Sequence, residues 1–182
     1  MTRPPARGRL PFRIRPATAR DAELLVRHRQ EMWTAIGTFP KAEMTRAGPR
    51  YRWWMTRERR AQRFFGFVAE SGTGEIAGSG AVWLQASQPR PGRLARLQTP
   101  YIMSMYTEPA FRRRGVGSSL VRHMLSWARR RGFARVTLHA SRFGRPVYER
   151  IGFEASNEMR FDLQSLGSRR AVSRERRRRS AT

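Results

Sequence analysis

The chain has 182 residues, room for one domain with a substantial core, and carries 38 Lys+Arg against 13 Asp+Glu, a formal charge of +25. It has no cysteine, which excludes disulfides and thiolate metal sites, and His28, His123 and His139 are too scattered to suggest a metal site. No run approaches the roughly 20 apolar residues of a membrane span and the N-terminus lacks an apolar signal segment, so a soluble cytoplasmic protein with no membrane role is the default expectation.

Lys41 is the sole lysine; every other cation is arginine. A GC-rich genome accounts for that bias as readily as function does. Seven Arg and one Glu lie in residues 164–182 and three Arg in residues 1–9, so sixteen of the twenty-five charges stay with residues 10–163. A field of that size attracts phosphates and polyanions without choosing among them. Residues 1–9 and 164–182 are polar and basic with no apolar period, and are expected to be disordered tails around a single domain over 10–163.

Phe12 and Ile14 alternate with arginines in an expected first strand. Thr18-x-x-Asp21 resembles a capping box, and Leu24, Leu25, His28, Met32 and Ile36 recur at helical spacing up to Gly37. A second helix is expected over 43–61, interrupted near Gly48-Pro49. Phe64–Glu70 and Glu75–Gln85 read as a hairpin around Ser71-Gly72-Thr73-Gly74, and residues 86–98 as a polar loop. An apolar strand, Tyr101–Thr107, leads to a glycine turn and then a helix over Ser118–Arg131 closed by Gly132. On that helix Val116, Leu120, Met124, Trp127 and Ala128 form a core face, and His123 falls among polar positions and is expected to be exposed. Val136–Ala140 reads as a strand, residues 145–151 as a short helix with Pro146 in its first turn and Gly152 as its cap, and 158–163 as a last strand. No internal repeat is evident.

The turn Arg112-Arg113-Arg114-Gly115-Val116-Gly117 is the richest signal. A strand-to-helix turn leaves backbone N–H groups without internal partners and aims them at one spot. Gly115 and Gly117 carry no Cβ, so a ligand can approach the backbone, and three arginines stand at the mouth. A pyrophosphate fits that charge and geometry. Neither the P-loop pattern nor a Gly-x-Gly-x-x-Gly run is present at this turn.

Two segments, Glu-Pro-x-Phe-Arg-x-x-Gly-x-Gly at 108–117 and Tyr-Glu-x-x-Gly-Phe at 148–153, resemble the GNAT superfamily of acetyl-CoA-dependent N-acetyltransferases. Arg13-Ile14-Arg15-Pro16-Ala17-Thr18-x-x-Asp21 is similar to the family's first strand and helix start, so the resemblance covers roughly 10–163. It implies an α/β (α+β) fold: a single-domain, mixed and mostly antiparallel sheet with flanking helices and a splayed central strand pair. It also implies acetyl-CoA as co-substrate, no metal, and an amine acceptor attacked directly. Carried over residue by residue, the backbone of Met105, Tyr106 and Thr107 faces the pantetheine arm. Arg112, Arg113, Arg114, Gly115, Val116, Gly117 and Ser118 hold the pyrophosphate. Tyr148 takes the general-acid position. Many members place an asparagine after the fifth strand against the cofactor; here the segment is 140–144, and Ser141 is the substitute. No base is named by the motifs. His139 is the leading candidate, with Glu31, Glu70 or a water chain as alternatives. Trp33, Phe39, Trp53 and Trp54 are candidates to line the acceptor pocket, with core packing an equal reading.

A rival reading is a basic nucleic-acid-binding protein on the same fold, without catalysis. The glycine turn and Tyr148 favour the enzyme, since a pure binder needs neither. On the enzyme reading the Arg-rich tail makes at most non-specific nucleic-acid contact, and the oligomeric state is open, a homodimer included.

Overall fold

The computed structural model describes residues 12–37, 39–89 and 97–159. Residues 1–9, most of the 86–98 loop, most of the expected last strand and the Arg-rich tail fall outside them. The chain divides after Gly152. Of the second unit, residues 153–159 are described and contain no helix or strand.

The described residues of the first unit form a five-stranded sheet with four α-helices. In chain order it runs β1 (Arg13–Pro16), α1 (Ala22–Ile36), α2 (Lys41–Arg60), β2 (Phe64–Glu70), β3 (Ile76–Ala86), β4 (Gln98–Thr107), α3 (Val116–Arg130), β5 (Thr137–Leu138) and α4 (Arg145–Ile151). The strands lie in the order β1-β2-β3-β4-β5. The first three pairings are antiparallel and β4–β5 is parallel. Among the described residues no helix is long and apolar enough to cross a membrane.

The pleat sorts side chains onto two helical layers. Phe64 meets Trp54 of α2, whereas Phe65 and Phe67 meet Trp127 of α3. Leu25, Val26, Met55 and Ala81 close the α1/α2 layer, with Met103 of β4 packed against it. Val116, Leu120, Val121 and Met124 are fully buried on α3.

Local chemistry sets the element ends. The Asp21 carboxylate accepts from the backbone N–H of Thr18 at 2.6 Å, so the expected capping box is present, around a 3-10 turn that leads into α1. Two Arg15 nitrogens clamp the same carboxylate, which holds its pKa well below the usual range. Gly37, Gly132 and Gly152 take left-handed φ values of 76°, 72° and 105°, each just past a helix.

The expected break in α2 does not occur. The helix runs unbroken through Pro49. α1 packs closely on Gly48: a Cβ there would stand 2.6 Å from Gln30 Nε2. Gln30 donates to the Met44 carbonyl at 3.2 Å, next to the bond the proline removes. Helix packing therefore overrides the local breaker signal.

Glu58 anchors the far end of α2. Its buried carboxylate accepts from Arg63 at 2.7 Å, from Arg57 at 3.0 Å and from the Trp83 indole at 3.1 Å. The Arg63 hydrogen bond, aided by Trp83 and Arg57, outweighs burial and holds the carboxyl at about 2. A depressed carboxylate stabilises the fold above its ordinary pKa and loses that contribution as pH falls through the folded value. Glu58→Ala is expected to cost about 1–3 kcal/mol at pH 7, the typical cost of stranded hydrogen-bonding groups. Thermal melts at pH 7 and pH 3 check it. The difference from wild type should shrink at pH 3; an equal difference at both would make Glu58 a packing residue only.

Candidate active site

β4 pairs with β5 at Tyr101↔Thr137 and Ile102↔Leu138 and nowhere beyond among the described residues. The expected five-residue strand at 136–140 is thus only Thr137–Leu138. From Met103 to Thr107, β4 presents that edge without a strand beside it. On the opposite edge the β3–β4 register slips between Ser79 and Ala81, and Ser104 takes a left-handed φ of 52°. Glycines in β3 make room for the bulge. A Cβ on Gly80 would collide with Met105 Sδ, and one on Gly78 would stand 2.5 Å from the Tyr106 carbonyl. A bulge next to an unpaired edge leaves main-chain groups to accept an extended ligand as an added strand. Met105 packs its side chain towards Met124, so only its backbone is available to such a ligand. Tyr106 likewise turns its ring inward, 4.8 Å from His28.

The glycine turn sits at the end of this edge. α3 begins at Val116, two residues earlier than the sequence suggests, with Gly115 as its N-cap at φ 85°. The first helical bond is Ser119 N–H to Gly115 O at 2.9 Å, so the N–H groups of Val116, Gly117 and Ser118 lack helical acceptors. Val116 buries its side chain and contributes only backbone. A Cβ built on Gly117 would meet nothing within 4 Å, and φ there is ordinary. The space and backbone at 117 therefore give no reason for glycine there. The arginines divide their duties. Arg112 reaches back to the Thr107 carbonyl at 3.3 Å, Arg114 lies over the Phe111 ring, and Arg113 is exposed in a left-handed conformation at φ 61°.

Tyr148 stands in the first turn of α4, its ring packed on Gly144, where a Cβ would fall 2.7 Å from Tyr148 Cε2. Burial, with the nearby Tyr101 phenol, pushes its own phenol up to about 12. Tyr101 in turn pairs with His139 Nδ1 at 2.6 Å. β4, β5 and α4 thus bring Tyr101, His139 and Tyr148 into one cluster, and Tyr101 is a member the sequence reading missed. Ser141 holds the turn that leads into α4, whose N-cap is Gly144: its Oγ accepts from Gly144 N–H at 3.2 Å and its carbonyl from Arg145 N–H at 3.0 Å.

The other candidates separate. Glu70 lies on β2, two strands from β4, and is held by Arg15 at 2.5 Å, which removes it as a base. Trp54 is core, between Tyr51, Phe64 and Trp83. Trp53 is 61% exposed, beneath Arg57. Trp33, near the C-terminal end of α1, pairs edge to face with Phe39 at 5.6 Å. His123 is not exposed as expected but half-buried against Phe67, and burial lowers its pKa.

His28 is more than the core residue its spacing suggests. Fully buried, it contacts Ser79 Oγ through Nδ1 at 2.8 Å and Glu108 Oε1 through Nε2 at 2.9 Å. Neutral imidazole satisfies both, donating from Nε2 and accepting at Nδ1. Arg27 also donates to Glu108, at 2.8 Å. This network ties α1 to the segment that starts the glycine turn. Burial lowers the His28 pKa, Glu108 opposing it. The unfolded chain then binds the proton more readily, so stability is full above about pH 6.5 and falls as pH drops below it. Urea melts at pH 8 and pH 5.5 should show that loss, and His28→Gln should reduce the difference, His123 supplying the remainder. A difference unchanged in His28→Gln would remove His28 from the pH response.

Residues 25–153 match the model of the acetyltransferase (GNAT) family. Over 92 residues the chain is 33% identical to glucosamine 6-phosphate N-acetyltransferase of Trypanosoma brucei brucei, covering 50% of this chain and 60% of that protein. It is similar to a GCN5-related N-acetyltransferase of Ralstonia eutropha at TM-score 0.75 and 27% identity, covering 84% of this chain and 99% of that one. A predicted acetyltransferase of Clostridium acetobutylicum, solved with acetyl-CoA, matches at TM-score 0.70 and 25% identity over 85% of this chain and 97% of that one. The chain belongs to the acetyltransferase (GNAT) family.

Proposed function

We propose that the protein transfers an acetyl group from acetyl-CoA to a primary amine by direct attack, with Tyr148 as general acid. One observation carries the reading: the space above Gly117 stands open beside three helix N–H groups, at the end of a strand edge that β5 leaves unpaired. The backbone of Met105, Tyr106 and Thr107 holds the pantetheine arm, and Arg112 to Ser118 hold the pyrophosphate. Charge-assisted hydrogen bonds are each worth about 1.5–3 kcal/mol and the helix dipole only about 0.3–1, so the backbone cradle outweighs the field of the arginines. The bound acetyl-CoA supplies the activated thioester. Ser141, whose Oγ already accepts from Gly144 N–H, keeps its hydroxyl hydrogen and one lone pair for the cofactor.

The acceptor must lose a proton. At pH 7 that costs about 4.6 kcal/mol for an ε-ammonium and about 1.4 for an α-amine. His139, paired with Tyr101, takes this proton directly or through the Tyr101 hydroxyl, with water as the alternative route. Calorimetry with acetyl-CoA, followed by thiol release over a panel of amines, tests the reading. Absence of acetyl-CoA binding would discard it.

A further inference from the structure

Arg29 is the arginine the fold does not explain. It lies on α1, half-buried, with Nη1 3.2 Å from Ser104 Oγ at the β4 bulge. Its guanidinium stands 4.3 Å from the Tyr51 ring centroid and 5.7 Å from that of Trp33. Among the described residues no carboxylate lies within ion-pair distance of it. The contrast within the molecule is sharp. Arg15, with 24% of its side chain exposed, is held by Asp21 and Glu70, and the more exposed Arg63 by Glu58. A partly desolvated guanidinium normally has such a partner. Stacking on Tyr51 and one long bond to a serine hydroxyl offset only part of the cost.

The unsatisfied donors open outward. No buried side-chain nitrogen in the described residues lacks a hydrogen-bond partner, so Nε and Nη2 of Arg29 reach solvent. They do so on the α1/α2 layer, across the sheet from α3, where they cannot serve a pyrophosphate at the α3 N-terminus. Its partner Ser104 lies on β4, three residues along the strand from Tyr101, the β4 member of the Tyr101–His139–Tyr148 cluster.

We infer that Arg29 holds an oxyanion of the acceptor, making the natural acceptor an amine that also bears a carboxylate or phosphate. The inference rests on the acetyltransferase reading above. A planar fork with two open nitrogens suits bidentate contact with either anion. The rings of Tyr51 and Trp33 flank the same guanidinium.

The test uses the full chain. Matched acceptors are compared: an amino acid with its amide, and an amino sugar phosphate with the free amino sugar. Wild type should favour the acid-bearing member by about 10-fold or more in kcat/KM, chiefly through KM, as expected for one charge-assisted pair. Arg29→Met should bring that ratio towards one, and Arg29→Lys should restore part of it. The carboxylate and phosphate pairs report which anion is meant. A second readout needs no turnover. With CoA saturating the pyrophosphate site, acetate or inorganic phosphate should bind wild type saturably by calorimetry, and not Arg29→Met. Equal anion binding by the two proteins, or a preference for acid-bearing acceptors that survives in Arg29→Met, overturns the inference. Failure of wild type to bind acetyl-CoA sinks the acetyltransferase reading instead, a separate result in the same instrument.

Discussion

Gly117→Val is expected to abolish acetyl-CoA binding while leaving the fold intact. The side chain would project into the open space above the first turn of α3, where nothing of the protein lies within 4 Å of a Cβ. Glycine within a helix is less favourable than valine by a few tenths of a kcal/mol, so the melting temperature of the free protein should hold or rise slightly. Affinity should fall steeply. A branched side chain over the N–H groups of Val116, Gly117 and Ser118 displaces the pyrophosphate from at least two charge-assisted hydrogen bonds, at about 1.5–3 kcal/mol each. That corresponds to a loss of roughly 100-fold or more. Calorimetry with acetyl-CoA and a thermal melt of the same sample separate the possibilities. Unchanged affinity removes the phosphate-site assignment. A lowered melting temperature would show that glycine serves the fold after all.

That substitution isolates what was legible in the sequence, because the glycine turn is a local device. A strand, a turn and a helix start lie within twenty residues, and the backbone rules that govern them act over the same range. The left-handed stops at Gly37, Gly132 and Gly152 were legible for the same reason. Where sequence-distant parts meet, local rules lost. Gly48-Pro49 reads as a break, yet α1 packs on Gly48 and Gln30 donates to the Met44 carbonyl, so the helix continues. Val136–Ala140 reads as a full strand, but β5 pairs with β4 at only two positions, up to Ile102, just before the β3–β4 irregularity at Ser104. The bulge did have a signal: Gly78-Ser79-Gly80 inside a strand marks a close backbone approach. His28 and Arg29 had none. Both sit in a helical period, and their partners Ser79, Glu108 and Ser104 lie 51, 80 and 75 residues away.

Tyr148→Phe should lower kcat by about 10–100-fold and leave acetyl-CoA affinity within about twofold. The substitution keeps the ring on Gly144 and removes one hydroxyl. With its phenol pushed up to about 12, Tyr148 is fully protonated at neutral pH, the form an acid needs. The same shift limits what it can do. Handing a proton outright from a group near 12 to a thiolate near 8.5 is uphill by about 4.8 kcal/mol. On the proposed mechanism Tyr148 would therefore act first as a hydrogen-bond donor to the sulfur as charge develops, and such a bond is worth about 1.5–3 kcal/mol. The pH profile adds an independent check. A phenol that titrates near 12 contributes no alkaline limb below about pH 10, so wild type and Tyr148→Phe should share the shape of their profiles while differing in height. With a verified acceptor and chemistry limiting turnover, a kcat within twofold of wild type would make Tyr148 a packing residue. A wild-type alkaline limb near pH 9 that vanishes in Tyr148→Phe would instead show a phenol acidic enough to surrender its proton, and the hydrogen-bond account would give way to full proton transfer.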